Sequence, residues 1–358
     1  MNGAIRAEET MEMKNYLFIL ALPVLMISGC TDRSFSLDDR TEAGASTVLP
    51  VKVSVGNTLL KGSGPVDGTS DLEGKDFYVY AFRRHDKAIY GTTAAEEPAV
   101  CLIDASLDGE TGKVGGRKAR LTGTGPYAQW AGRAVNWPSG ENHKDAYDFF
   151  AYYIDDAELT DIVRADDRVD IKLTVDGSQD VMLSKAALTQ AQLAGLSGQD
   201  RQYASDWSFS QFTAFRNISP VFTFRHQLAR LDFEVVAEGD VTVEGISVLS
   251  MRKAVLTVAH KDESKLGITF TDSNVWSMND AAAQGYSLRT VSEDGADYVM
   301  AAPSDRYRVY VKVTGGGASE VLSAEVRTPS GRFLAGKSYG VLLTVNGTGP
   351  GNLHVETK

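Results

Sequence analysis

From Val221 to Val345 the chain runs through one short alternating segment after another, and that pattern leaves little besides β-structure open to it. Val241 to Leu249, Val255 to Ala259, Gly267 to Phe270 and Tyr286 to Val291 each read as a strand, as do Tyr298 to Ala302, Tyr307 to Val313, Val321 to Val326 and Tyr339 to Val345. Val313-Thr314-Gly315-Gly316-Gly317-Ala318 is a turn between two of them. The opening run, VFTFRHQLARLDFEV, carries a further constraint. Phe222, Phe224, His226 and Leu228 share one parity, and Leu231, Phe233 and Val235 share the other. A period of two cannot hold both sets on one face, so a bulge is expected near Ala229-Arg230.

The first half of the chain is more broken but of the same kind. Thr47 to Val55 (TVLPVKVSV) alternates, and Pro50 within it points to an edge strand. Asp76 to Arg83, Tyr127 to Ala131, the aromatic run Ala146 to Tyr153 and Val169 to Val175 follow as strands, with Asp108-Gly109, Gly112 and Gly115-Gly116 punctuating the loops. Helical spacing of Ala187, Leu188, Ala191, Ala194 and Leu196 predicts a helix over Ser184 to Leu196, with Ser184 as N-cap and Gly198 beyond its end. Asp156 to Ala165 is expected to form a shorter one. Trp207 to Pro220 breaks the rhythm, which places a domain boundary near residue 218. The expected fold is all-β: two β-sandwiches in tandem over 47–218 and 219–346, with one or two short helices in the first. Gly347-Thr348-Gly349-Pro350-Gly351 ends the last strand and leaves 347–358 as a short extension.

The N-terminus says where the chain goes. Tyr16 to Met26 (YLFILALPVLM) is an apolar run with Lys14 just before it, the layout of a secretory signal, and it falls short of the roughly 20 apolar residues that span a bilayer. Ser28, Gly29 and Cys30 follow directly. This resembles the bacterial lipobox, in which cleavage between Gly29 and Cys30 makes an acylated Cys30 the first mature residue. Glu8, Glu9 and Glu12 put acid where a signal needs positive charge, so translation is expected to start at Met13 and residues 1–29 to form the signal peptide. Thr31 to Ser46 is polar and charged, so 30–46 reads as a lipidated cysteine and a disordered tether that keeps the folded part clear of the bilayer.

The remaining residues carry no recognisable catalytic constellation. Removing residues 1–30 takes Arg6, Lys14 and three glutamates from the 36 basic and 47 acidic residues, leaving 34 and 44, a net charge of −10. That excess of acid argues against nucleic acid as a partner. His85, His143, His226, His260 and His354 lie in no HExxH or paired-ligand spacing, and no metal site or cofactor is expected. No GxSxG elbow, phosphate-binding loop or dinucleotide fingerprint is expected, since the matching letters in Gly331 to Gly340 (GRFLAGKSYG) lead into a strand and not into a helix. Gly347-Thr348-Gly349 follows a strand but opens no helix. Asp104-Ala105-Ser106-Leu107-Asp108-Gly109 starts like a calcium loop, yet Gly115 stands where the bidentate glutamate belongs, so it reads as a turn. His226, among apolar residues, reads as a core or inter-domain histidine. With Cys30 lipidated, Cys101 has no disulfide partner and reads as a small core residue. Tyr147, Phe149, Phe150, Tyr152 and Tyr153 crowd one strand, and Trp130, Trp137 and Trp207 lie elsewhere in the first expected domain. Some could stack on sugars, but alternation sends most of them into a core.

Several segments in order resemble the fimbrillin-like lipoproteins of Bacteroides-type bacteria, relatives of type V pilus subunits. They are the lipobox at Cys30, Asn136-Trp137-Pro138 leading into Tyr147 to Tyr153, Gln179-Asp180-Val181-Met182, Val221 to Val235, and Leu334-Ala335-Gly336-Lys337-Ser338-Tyr339 before the last strand. The resemblance implies transthyretin-like sandwiches, no catalysis, and a place on the cell outer membrane, lipid-anchored and surface-exposed or on fimbriae. It also implies assembly with other fimbrial subunits by strand exchange, in which a protease removes the first strand and a partner's C-terminal strand fills the groove. Here the removable strand would be Thr47 to Val55, with Val48, Val51, Val53 and Val55 as its groove-filling side chains. Two features depart from the pattern. No arginine lies between Arg40 and Arg83, with only Lys52 and Lys61 near the strand, and the tail Asn352 to Lys358 has few apolar side chains. Both favour a tip, anchor or accessory role over a shaft role. The alternative is a non-polymerising surface lipoprotein that binds glycans or host proteins.

Overall fold

The computed structural model describes residues 48–56, 72–84, 90–108, 115–123, 125–155, 158–272, 275, 287 and 298–358. The signal, Cys30, its tether, His85, Gly109 and Gly112 therefore lie outside the described residues, as does the expected strand Tyr286 to Val291 apart from Ser287, which bridges to Leu249. Residues 44–358 form one compact unit. The all-β expectation holds: four main sheets carry the fold, and its helices are short. Among the described residues no helix is long and apolar enough to cross a membrane.

A seven-stranded sheet is the spine of the first half. Its central strands are Asp76–Arg83 and Tyr147–Ile154, paired antiparallel from Tyr78–Tyr152 to Arg83–Tyr147. Both faces of this sheet are buried, which explains the crowded aromatics. Phe77, Val79, Ala81, Tyr147, Phe149, Ala151 and Tyr153 enter one core, while Tyr80, Phe82, Phe150 and Tyr152 enter another on the opposite face. A half-buried sheet would have needed polar residues on every second position. The second core is closed by a four-stranded sheet ordered Gly267–Phe270, Lys253–His260, Arg168–Thr174 and Glu158–Ala165. Ala254, Leu256 and Val258 meet Val169, Ile171 and Leu173 there, although residue 218 stands between the two strands in sequence. The hairpin 253–270 is thus built into the sandwich of the first half.

The second half forms a smaller sandwich around one core. Ala229–Ala237 runs parallel to Ser338–Val345 and antiparallel to Tyr298–Ala301, facing a sheet of Val241–Leu249, Tyr307–Gly315 and Ala318–Val326. The last hairpin turns on Gly316 and Gly317, both at positive φ (58° and 83°), as a two-residue turn requires.

Four expectations are corrected. Ser184 caps no helix: Val181–Lys185 is a strand between Tyr147–Ile154 and Arg225–His226. The helix is only Gln190–Ala194, set by a capping box between Thr189 and Gln192. Asp156 to Ala165 is a strand, Glu158–Ala165, whose register shift between Leu159 and Asp161 puts Leu159 and Ile162 against one core at a spacing that mimics a helix. The parity change after Leu228 is no bulge. Arg225–His226 pairs in the seven-stranded sheet, and from Ala229 the chain enters the second sandwich, so the buried face changes because the sheet changes. Finally, the extension 347–358 folds back, with Leu353–Thr357 pairing antiparallel to Ser338–Val345. Two helices not expected from sequence, Gly198–Asp206 and Gln211–Ala214, occupy the stretch before residue 218, capped by Ser197 and Ser210.

Candidate functional site

Residues 48–56 lie in a groove on the first core, and their backbone is held from both sides. On one side Trp137 N–H donates to Leu49 O at 2.9 Å, Val51 N–H donates to Val135 O at 2.7 Å, and Ala128 N–H donates to Val53 O at 2.9 Å. These bonds make antiparallel bridges of Pro50 with Asn136 and of Ser54 with Tyr127. Pro50 occupies a position whose N–H is not needed, because the bonds of that bridge come from its two neighbours. On the other side Ser54 and Val55 pair in parallel with Val221 and Phe222, with Ser54 N–H to Pro220 O at 3.0 Å and Gly56 N–H to Phe222 O at 2.8 Å. Trp130 Nε1–H adds a side-chain clasp to Val51 O at 2.9 Å. The edge-strand reading of Thr47 to Val55 captured only one of these sides.

The side chains alternate as the backbone demands. Val51 and Val53 are buried at 2% and 0% exposure in a core shared with Phe77, Trp137, Phe149 and Phe222. Leu49 and Val55 are half-buried against the same core, while Val48 is 69% exposed. Of the four valines named from sequence, Val51 and Val53 fill the groove, Val55 packs at its end and Val48 lies outside. The groove floor is aromatic, with Phe77 edge-on to Phe222 and to Phe224 at 6.2 and 5.7 Å. Beside the segment lies a cleft of about 90 Å³, bounded by Leu49, Pro50 and Lys52 on one wall and by Tyr127 and Asn217 among others. Lys52 Nζ lies 5.2 Å from the centre of the Tyr127 ring.

The other candidates resolve into structure. His226 Nδ1 is 3.0 Å from an Asp180 carboxylate oxygen, and both side chains are fully buried. No nucleophile contacts the pair among the described residues. Burial pushes the Asp180 carboxyl above its ordinary range, against the pull of the His226 hydrogen bond. Asp104 is no calcium ligand: its carboxylate accepts from Arg164, from Ala94 N–H at 3.2 Å and from Ser106 N–H at 3.0 Å. Cys101 is buried beside it, and burial, followed by the Asp104 charge, pushes its thiol up. Among the described residues no cluster of His, Cys, Asp or Glu could hold a metal ion. The aromatic strand Tyr147–Ile154 offers no sugar platform, because all five of its rings are buried.

Sequence reasoning missed the partners of the N-terminal segment. Asn136-Trp137 and Val221-Phe222 had stood out as landmarks, but nothing in their spacing says that residues 49–56 would pass between them.

Comparison with known proteins gives a consistent picture. A family model for fimbrillin-like proteins matches residues 93–358. A candidate cell adhesion protein of Bacteroides uniformis is similar in structure, with TM-score 0.48 and 14% identity, covering 88% of this chain and 97% of that one. Another, from Bacteroides ovatus, has TM-score 0.42 and 12% identity, covering 87% and 97%. No curated protein matches the chain.

Proposed function

The chain belongs to the fimbrillin-like family, and from that premise we propose that it is a lipid-anchored, non-catalytic adhesive subunit of the outer membrane that assembles by β-strand exchange. Such proteins work at the cell surface. The observation that carries the exchange is the state of residues 48–56, bonded along both edges with Val51 and Val53 in the core. Without the segment, Trp137 and Ala128 N–H and the Trp130 indole lose their acceptors, and the Val135, Pro220 and Phe222 carbonyls lose their donors. Orphaned buried groups of this kind cost about 1–3 kcal/mol each, so an emptied groove binds a replacement strand strongly.

A donor needs alternating apolar side chains. The C-terminal strand Leu353–Thr357 has them: Leu353, Val355 and Thr357 are half-buried on one face, and His354 and Glu356 point outward. It is the outermost strand of its sheet, which is where a strand is released with least disruption. Two apolar anchors are few, and no arginine lies between Arg40 and Arg83 for an arginine-specific cut. We therefore assign a tip, anchor or accessory position. Acylated Cys30 supplies the membrane attachment, with several acyl chains for a stable hold. Intact-mass and N-terminal analysis of protein taken from its native membrane tests this assignment. A lipid-bearing Cys30 start fits the anchor or accessory role, and a start beyond Val55 fits a chain that accepts a partner strand. A lipid-free chain that keeps residues 1–29 would overturn the anchor.

A further inference from the structure

The cleft beside the N-terminal segment holds three groups suited to recognition, two of which, Lys52 and Tyr127, lie against each other. Lys52 is exposed, and among the described residues no carboxylate pairs with it. Asn217 is exposed at the end of the Gln211–Ala214 helical region, and its amide makes no side-chain hydrogen bond among the described residues. It is also the one non-glycine described residue at positive φ (59°), a conformation that asparagine tolerates and that ends the helix, with Ile218 N–H donating to Thr213 O at 3.1 Å. Tyr127 is 37% exposed, a high value for a large aromatic ring. The rest of the lining is apolar or small and holds no acidic side chain. Val48 and Phe215, exposed at 69% and 45%, are the sequence neighbours of the lining residues Leu49 and Ala214.

The geometry points to a binding site for a pyranose that carries a carboxylate, presented at the end of a surface glycan. The carboxylate pairs with the Lys52 ammonium, the ring hydroxyls meet the Asn217 amide, and the C–H face of the sugar rests against Tyr127 and the apolar wall. A volume of about 90 Å³ is far below the ~300–1,000 Å³ of pockets for drug-sized ligands, so it admits part of one terminal sugar, the rest projecting into solvent, and not an extended chain. A lone cation with no acid beside it in the lining favours an acidic sugar over a neutral one by one charge-assisted contact. Because Leu49, Pro50 and Lys52 form one wall, the site exists only while residues 48–56 are seated, whether or not that segment is ever exchanged.

The test is a titration of the full chain with methyl glucuronide, N-acetylneuraminic acid and methyl glucoside, followed by NMR shifts and calorimetry. The acidic sugars are expected to bind in the millimolar range and the neutral one to bind roughly tenfold more weakly, the value of one charge-assisted contact. Lys52→Gln should remove that preference. Asn217→Gly, which suits the positive φ and so preserves the fold, should weaken all binding several-fold at an unchanged melting temperature. Absence of binding by either acidic sugar, equal binding of the neutral one, or acid preference surviving Lys52→Gln would overturn the assignment.

Discussion

Arg164 shows how single residues hold this molecule. It lies on an edge strand, yet its guanidinium reaches Asp104, donates to Tyr90 O at 3.1 Å and also to Thr92 O, and rests 5.6 Å from the Phe82 ring centre. Asp104 is only 1% exposed, so removing the arginine strands a buried carboxylate. Arg164→Met should cost about 3 kcal/mol in urea unfolding, and a loss below ~1 kcal/mol would contradict the ion-pair account. The neighbouring Cys101 thiol is buried and pushed upward, so it should resist iodoacetamide in the native chain and react once unfolded. Labelling of Cys101 at native pH 8 would count against that burial. Asp180 gives a pH signature. Its folded pKa is raised above the unfolded value of 3.8, so its contribution to stability is complete below that value and is lost as pH rises through the raised one. Urea midpoints should therefore show the wild type losing ground to Asp180→Asn as pH climbs through that window, and a constant difference would refute it. Residue identities of this kind were partly legible. Cys101 and His226 read as core residues from their apolar neighbours, but the arginine that answers Asp104 lies 60 positions away and no local pattern announces it.

At the scale of elements, strands were read well where turn residues mark their ends and poorly where apolar residues run on beyond them. Asp76–Arg83 was legible in full because its turn residues bound it. Val181–Lys185 was not: a strand buried on both faces is a continuous apolar run, and with Ala187, Leu188 and Ala191 following it imitates a helix. The short helices were announced only by their caps, Thr189 with Gln192 and Ser210 with Thr213. The N-terminal segment is the element on which the proposed function turns. Its alternation was visible in Val51, Val53 and Val55, but the two sides that grip it were not, because both partners are distant in sequence. Val53→Ala should cost about 2 kcal/mol by loss of buried apolar surface. A chain beginning at residue 57 should melt well below the full chain and recover when a peptide of residues 48–56 is added. The same peptide with Val53→Asp should give no recovery, since a carboxylate would enter the apolar groove. Equal rescue by both peptides would mean that the groove does not read side chains.

The whole molecule is more interlocked than tandem sandwiches suggest. The change of rhythm before residue 218 falls on the helices Gly198–Asp206 and Gln211–Ala214, and the all-β class followed from alternation alone. What the sequence concealed is that Lys253–His260 returns to pair with Arg168–Thr174, since nothing distinguishes that strand from its neighbours in the second half. A fragment of residues 47–218 would lack Ala254, Leu256 and Val258 from its second core, so it should show no sharp thermal transition by near-UV circular dichroism. A cooperative melt of that fragment would contradict the shared core. The function proposed above joins lipid attachment, groove and C-terminal strand in a protein tethered at one end and able to trade a strand with a neighbour. The most direct test inserts a specific protease site after Gly56 and follows the size of the purified protein by light scattering before and after cutting. The account predicts a monomer before the cut and linked species after it, which vanish when Leu353 and Val355 are both changed to aspartate. A cut chain that stays monomeric and folded, or links equally well without those two apolar residues, would contradict strand exchange.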